Sequence, residues 1–316
     1  MAHYPCRFHV TSSPNHEIED KEELHQESAH NLKKALTCYV LGYGGGLVSG
    51  DRIYLNINVK PHAALVMTSQ STSKAFKAIS GRNATFVKTE AKVSRGGLLF
   101  LVPQPLQCFG GSCFEQETHV IMEQITEHSG STSFHSEGEL DPSLLLVDWY
   151  TGGRRDQDGL WNFTSFQSTT TISFSTDIQQ EKESSSESCN LVFRDSTCLS
   201  GGEDLLRHMQ NFNVVCMVIL IGPRVKSVAQ KFIEKYSSRH IYDDDDDTAK
   251  VERIKFSPND SSKLNHNKGE GLNKNRDGLL VSCGVFQMKC MGKNGEGVVV
   301  RIAASTLEKA GKLLYC

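Results

Sequence analysis

No Cys-x-x-Cys pair, His-x-His pair, His-Glu-x-x-His helix motif or Gly-x-Ser-x-Gly elbow occurs in the 316 residues. Their absence removes the common thiolate and imidazole metal sites and the commonest hydrolase nucleophile. The longest apolar run, Val214 to Ile221, falls far short of the roughly 18 residues a membrane helix needs. The opening MAHYPCRFHV is too short and too polar for a signal peptide, so the expected compartment is the cytoplasm, with the ten cysteines as free thiols. A net charge of -3 gives no electrostatic reason to expect nucleic acid or an anionic membrane as partner. Tryptophan is scarce too, with two in the chain, which is little for an aromatic sugar-binding cleft.

What the chain does have is glycine followed by alternation. Gly42, Gly44, Gly45 and Gly46 lead through Gly50-Asp51 into Arg52 to Lys60, where Ile53, Leu55, Ile57 and Val59 alternate with polar residues. That period of two marks a half-buried strand. A second apolar run, Ala63 to Met67, passes into the hydroxyl-rich string Thr68-Ser69-Gln70-Ser71-Thr72-Ser73 and Lys74. These glycines open a strand, whereas a dinucleotide fingerprint opens a helix. Leu47 or Ser49 also stands where its last glycine belongs, and Gly50 is followed by Asp51 where a phosphate loop needs lysine. The simpler reading is a tight turn with Asp51 bonding local N–H groups.

Strands continue downstream. Val87 to Val93 and Phe114 to Met122 alternate, the latter with Glu115, Glu117, His119 and Ile121 on one face and Phe114, Gln116, Thr118, Val120 and Met122 on the other. Leu98 to Val102 follows a Gly-Gly turn, Leu144 to Trp149 reads as a strand buried on both faces, and Leu160 to Phe174 supplies one or two more. Val214 to Ile221, Leu279 to Lys289 and Val298 to Ile302 are further strands, with Cys216 a small buried hydrophobe. Asp204 to Met209, Val225 to Tyr236 and Thr306 to Leu314 have helical spacing. The prediction is one mainly β domain over 1–316 with two or three peripheral helices. Residues 15–35 form an acidic insertion, a surface helix or mobile segment, and 179–188 and 242–274, the latter holding Asp243 to Asp247, are expected to be disordered.

Gly45-Gly-Leu-Val-Ser-Gly-Asp51, the alternating strand, Thr68-Ser-Gln-Ser-Thr-Ser-Lys74, Leu101-Val-Pro-Gln-Pro105 through Phe109, and Asp148-Trp-Tyr-Thr-Gly-Gly-Arg154 with Trp161 and Phe163 occur in that order. Together they resemble the urease accessory protein D family, called H in some bacteria. The resemblance is good over about residues 4 to 175 and weaker beyond. It implies a β-helix-like stack of sheets. Compared with family members the chain is expected to start late and stop early. One loop departs from the family pattern: aligned on Trp161, the family's glycine and glutamate positions hold Asp158 and Gly159, so that glutamate's role does not carry over.

The resemblance also implies a function. Family members act as scaffolds that bind urease apoprotein with accessory proteins F and G, the latter a nickel-carrying GTPase, and pass nickel through a water-filled tunnel. A conduit has to release its ion, so hydroxyls, amides and isolated carboxylates suit it better than clustered imidazoles or thiolates. Asp51 and Asp148 are the candidate weak nickel ligands, with Ser71, Ser73 and Gln104 on the polar path and Lys74 and Arg154 as internal partners of the carboxylates. Nickel is expected in transit only, without an organic cofactor. The competing reading makes each of these residues structural: Asp51 caps a turn, Asp148 and Arg154 form a buried ion pair, and the serines satisfy backbone groups. A different class of function is a stand-alone β-solenoid that binds or cleaves a carbohydrate, for which Glu137, Glu139 and Asp141 are the available carboxylates.

Overall fold

The computed structural model describes residues 6–11, 35–42, 44–124, 141–157, 159–176, 189–237, 278–288 and 295–314. The expected insertions at 15–35 (save its last residue), 179–188 and 242–274, together with Glu137, Glu139 and Asp158, lie outside the described residues. The chain is mainly β, as its alternation predicts, with two sheets and three α-helices among the described residues. In order, the first strands are β1 (Cys6–Thr11), β2 (Leu36–Gly42), β3 (Arg52–Val59), β4 (Ala64–Ser69), β5 (Ser73–Ala75), β6 (Thr85–Val93), β7 (Leu98–Leu101) and β8 (Leu106–Cys108). There follow β9 (Cys113–Gln124), β10 (Ser143–Thr151), β11 (Ser165–Thr176), β12 (Cys189–Ser200), α1 (Glu203–Met209), β13 (Val214–Ile221), α2 (Lys226–Ser237), β14 (Leu279–Met288), β15 (Gly295–Ala304) and α3 (Leu307–Leu314).

From β2 to β11 the chain passes back and forth between the sheets. In the larger sheet β2, β4, β7 and β10 lie side by side and parallel; in the smaller one β3, β6, β9 and β11 do the same. The later additions are antiparallel: β12 onto β11, then β13, β15 and β14 in succession beyond β10, while β1 closes the other edge against β2. Parallel strands need cover on both faces. The small sheet and the helices provide it for β10 and β13, which explains why Leu144 to Trp149 and Val214 to Ile221 read as nearly unbroken apolar runs. Their inner side chains Leu144, Leu146, Ile219 and Ile221 meet Ile57, Val93, Val120, Met122, Ile172 and Phe174 of the small sheet. Their outer side chains, among them Val147, Trp149, Cys216, Val218 and Leu220, pack under α2 and α3 through Ala229, Tyr236 and Ala310, and under Val225 in the turn just before α2.

At the opposite end an aromatic cluster fills the space between the sheets. Tyr150 and Phe166 rings lie 4.2 Å apart, and Trp161, fully buried, donates its indole N–H to the Phe212 carbonyl at 2.9 Å. The chain accommodates Trp161 by leaving no side chain opposite it: a Cβ on Gly152 would lie 2.7 Å from two indole carbons. This is the structural use of Gly152; a Cβ on Gly153 would instead meet the Cys108 carbonyl at 2.6 Å.

Candidate functional site: a polar belt between the sheets

The strand registers stack the inward side chains in layers. Phe114 and Phe166 form one layer with Tyr150 opposite, and Val120 and Ile172 form another with Leu144 opposite. Between these apolar layers lie two that are polar on the small sheet: Gln116 beside Ser168, and Thr118 beside Thr170 and Thr89. Asp148 stands opposite Gln116 on β10, on the same face as Leu146 and Tyr150. The belt therefore interrupts a core that is apolar above and below it.

Three side chains tie the sheets together. Gln116 Nε2 donates to Asp148 Oδ1 and to Ser168 Oγ, both at 2.8 Å, and Ser168 Oγ donates to Asp148 Oδ2 at 2.8 Å. Both carboxylate oxygens thus accept from neutral donors, the pairing an ionised carboxylate requires. Two effects then compete. Burial pushes the Asp148 carboxyl upward and outweighs the two hydrogen bonds that favour its charged form, while the negative Asp195 adds a little in the upward direction. The surface Asp148 retains faces an internal cavity of about 190 Å³, so it is partly accessible by area yet remote from bulk solvent.

That volume is well above the roughly 10–15 Å³ that one water needs. Thr68, Ser69, Ser73, Gln104, Gln116 and Thr118 line it along with Asp148, the only charged side chain on its wall among the described residues. Much of the remaining wall is apolar, including Ile53, Leu55, Val87 and Leu101, more so than the expected lining of hydroxyls and amides. Cys6 also lines it, with its thiol pushed up by burial and therefore held protonated and a poor ligand. Sharing Ser69 and Ser73 with this cavity is a second of about 100 Å³, under the glycine turn; sharing Gln104 and Trp149 is a third of about 450 Å³, against Leu307 and Gly311 of α3.

The residues singled out from the sequence separate accordingly. Asp148, Ser73 and Gln104 line the central cavity, and Ser71 and Lys74 line the cavity under the glycine turn. Asp51 caps the turn: its Oδ2 accepts the Val48 N–H at 2.9 Å, while its own N–H donates to the Val48 carbonyl at 3.0 Å. The Asp148–Arg154 ion pair does not form. Gln116 and Ser168 satisfy the carboxylate, and the Arg154 guanidinium lies over the Phe109 ring, 3.9 Å from its centre. Lys74 also pairs with no carboxylate among the described residues. Gln116 and Ser168 were not singled out beforehand. The available signal was a glutamine on the same strand face as Phe114, Val120 and Met122, which is costly to bury without a partner.

The carbohydrate reading finds no support. Both tryptophans are buried, Trp149 at 5% and Trp161 at 0% exposure, so neither can stack on a sugar. Asp141 is the one described member of the proposed carboxylate set. Among the described residues no three His, Cys, Asp or Glu side chains converge on a metal-sized point, and no helix is long and apolar enough to cross a membrane.

Fold and site define a two-sheet scaffold built around a largely apolar cavity whose wall carries a single buried carboxylate. The family described as UreD urease accessory protein matches residues 23–316, and the chain belongs to it. It is similar to urease accessory protein D of Oryza sativa subsp. indica, 29% identical over 282 residues that cover 87% of this chain and 76% of that protein. Similarity to urease accessory protein D of Arabidopsis thaliana is 27% identity over 281 residues, 87% of this chain and 79% of the relative. A bacterial relative, urease accessory protein UreD of Sorangium cellulosum, is 28% identical over 205 residues, 64% of this chain and 55% of its own.

Proposed function

We infer that this chain is a urease maturation factor, acting as a non-enzymatic scaffold that helps deliver nickel to the urease active site. It works with urease apoprotein and with accessory proteins F and G, the latter a GTPase, in the cytoplasm, where free thiols such as the seven described here are the rule. The observation that carries this reading is the polar belt, with a cavity of about 190 Å³ beside Asp148 in an otherwise apolar core. Ni²⁺ in transit would meet one carboxylate, a few hydroxyl and amide oxygens and water. Hard, sparse ligands of this kind hold a borderline ion briefly, and the apolar wall offers it nowhere to lodge. On this path Asp148 is the inner ligand, Ser73 and Gln104 line the cavity, and Ser71 and Lys74 stand under the glycine turn. Asp51 holds that turn in shape, and Arg154 braces the Phe109 side of the scaffold.

The test is a pull-down of tagged chain from cells making urease, with nickel measured in the recovered enzyme. Asp148→Asn keeps the side-chain shape and removes the charge. It should capture urease as well as the native chain does but leave the enzyme with several-fold less nickel. Full nickel loading by Asp148→Asn and by Asp148→Ala, at unaltered solubility, would remove Asp148 from the path.

A further inference from the structure

The cavity under the glycine turn differs in sign from the central one. It is walled by Gly44, Gly45 and Gly46 on one side and by the string from Ser69 to Lys74 on the other, with no Asp or Glu of the described residues on its wall. Among the described residues Lys74 is therefore the only charged one on this wall, and no carboxylate among them pairs with it. The neighbouring donors are also uncommitted. The backbone N–H groups of Gly44, Gly45, Gly46, Ser71 and Thr72 reach no protein acceptor among the described residues, and neither does the Ser73 hydroxyl. Closeness of the two walls is enforced at Gly46, where a Cβ would meet the Lys74 carbonyl at 2.6 Å and its Cβ at 2.8 Å. A positive group, free N–H and O–H donors and the absence of acid amount to the chemistry of an anion cradle.

We propose that this cavity binds a small tetrahedral oxyanion, with Lys74 as counter-charge and the 71–73 string and glycine turn as hydrogen-bond donors. Its volume of about 100 Å³ admits an ion of phosphate size and excludes a nucleotide base and sugar. The inference goes beyond nickel transit and does not depend on it, although the two cavities share Ser69 and Ser73. An anion seated here would neutralise Lys74, which otherwise opposes a divalent cation approaching from this side.

The test uses the full chain without nickel. Inorganic phosphate and sulfate are titrated separately against sodium chloride at matched ionic strength, reading the melting temperature and, for phosphate, the ³¹P line width. Both oxyanions should raise the melting temperature saturably, as ligands of the folded state do, and chloride should not. Lys74→Met should weaken the response at least about tenfold and Lys74→Arg should keep it, since arginine offers the same charge. Ser71→Glu places a carboxylate on an exposed position of the cavity wall and should abolish the response, a readout that stands even if Lys74→Met fails to fold. An equal effect of chloride, or a native response in a folded Lys74→Met or Ser71→Glu chain, would overturn the proposal. Because no metal is present, either outcome leaves the nickel reading to its own test.

Discussion

Replacing Gln116 by Leu removes an amide and leaves a side chain of similar size, so its effect isolates the polar clasp between the sheets. The native amide makes two bonds of 2.8 Å, one to the Asp148 carboxylate and one to Ser168. A hydrogen bond to a charged group contributes about 1.5–3 kcal/mol and a neutral one about 1 kcal/mol. Burying leucine in place of an amide returns part of that loss. The net cost at pH 7 is about 2 kcal/mol, roughly a thirtyfold fall in the folding equilibrium. The cost also depends on pH. Asp148 already has a raised carboxyl, so the folded state holds its proton more tightly than the unfolded chain does. The stability arising from that difference is fully present below the ordinary carboxylate value of about 4 and is lost as pH rises through the raised value. Removing a donor that favours the charged form raises the value further, so Gln116→Leu should cost less at pH 4 than at pH 7. Urea unfolding of both proteins at the two pH values measures this, with other titrating groups cancelling in the comparison. A cost below about 0.5 kcal/mol at pH 7, or one independent of pH, would refute the account of Asp148 as a charged acceptor held by neutral donors.

Two further outcomes follow from packing. Gly152→Ala drives a methyl group to 2.7 Å from the Trp161 indole and should destabilise the fold by about 1–3 kcal/mol, seen as a lower melting temperature. Among the described cysteines, the exposed Cys198 should be alkylated first in the native protein. Cys108, whose thiol burial pushes up to about 12, and the fully buried Cys216 should react only on unfolding. Peptide mapping after a short iodoacetamide pulse reads the order, and early labelling of Cys108 would contradict the packing described.

Wherever one face of a strand is buried, the sequence states it in its period. Val214 to Ile221 was legible to the residue, and β3, β6, β9 and β10 to within a residue or two. The β12 strand escaped because it lies at the edge of the small sheet and none of its described side chains is fully buried; an edge strand facing water has no apolar rhythm to read. Asp148 and the glycine turn could be picked out as residues, but their partners could not. Asp148 lies 32 positions from Gln116 and 20 from Ser168, and the expected Arg154, only six positions along the chain, was displaced by them. Alternation along one strand tells which way a side chain points and says nothing of what stands opposite. That depends on how two sheets, each in its own register, are laid against each other, and a buried carboxylate takes its partner from whichever donors that stacking delivers. The sequence by itself thus determined most of the half-buried strands, the turn and the family. Only the tertiary packing decided that the polar residues of three strands share one layer, and that the cavity beside them holds an acid while the one under the glycine turn holds a base.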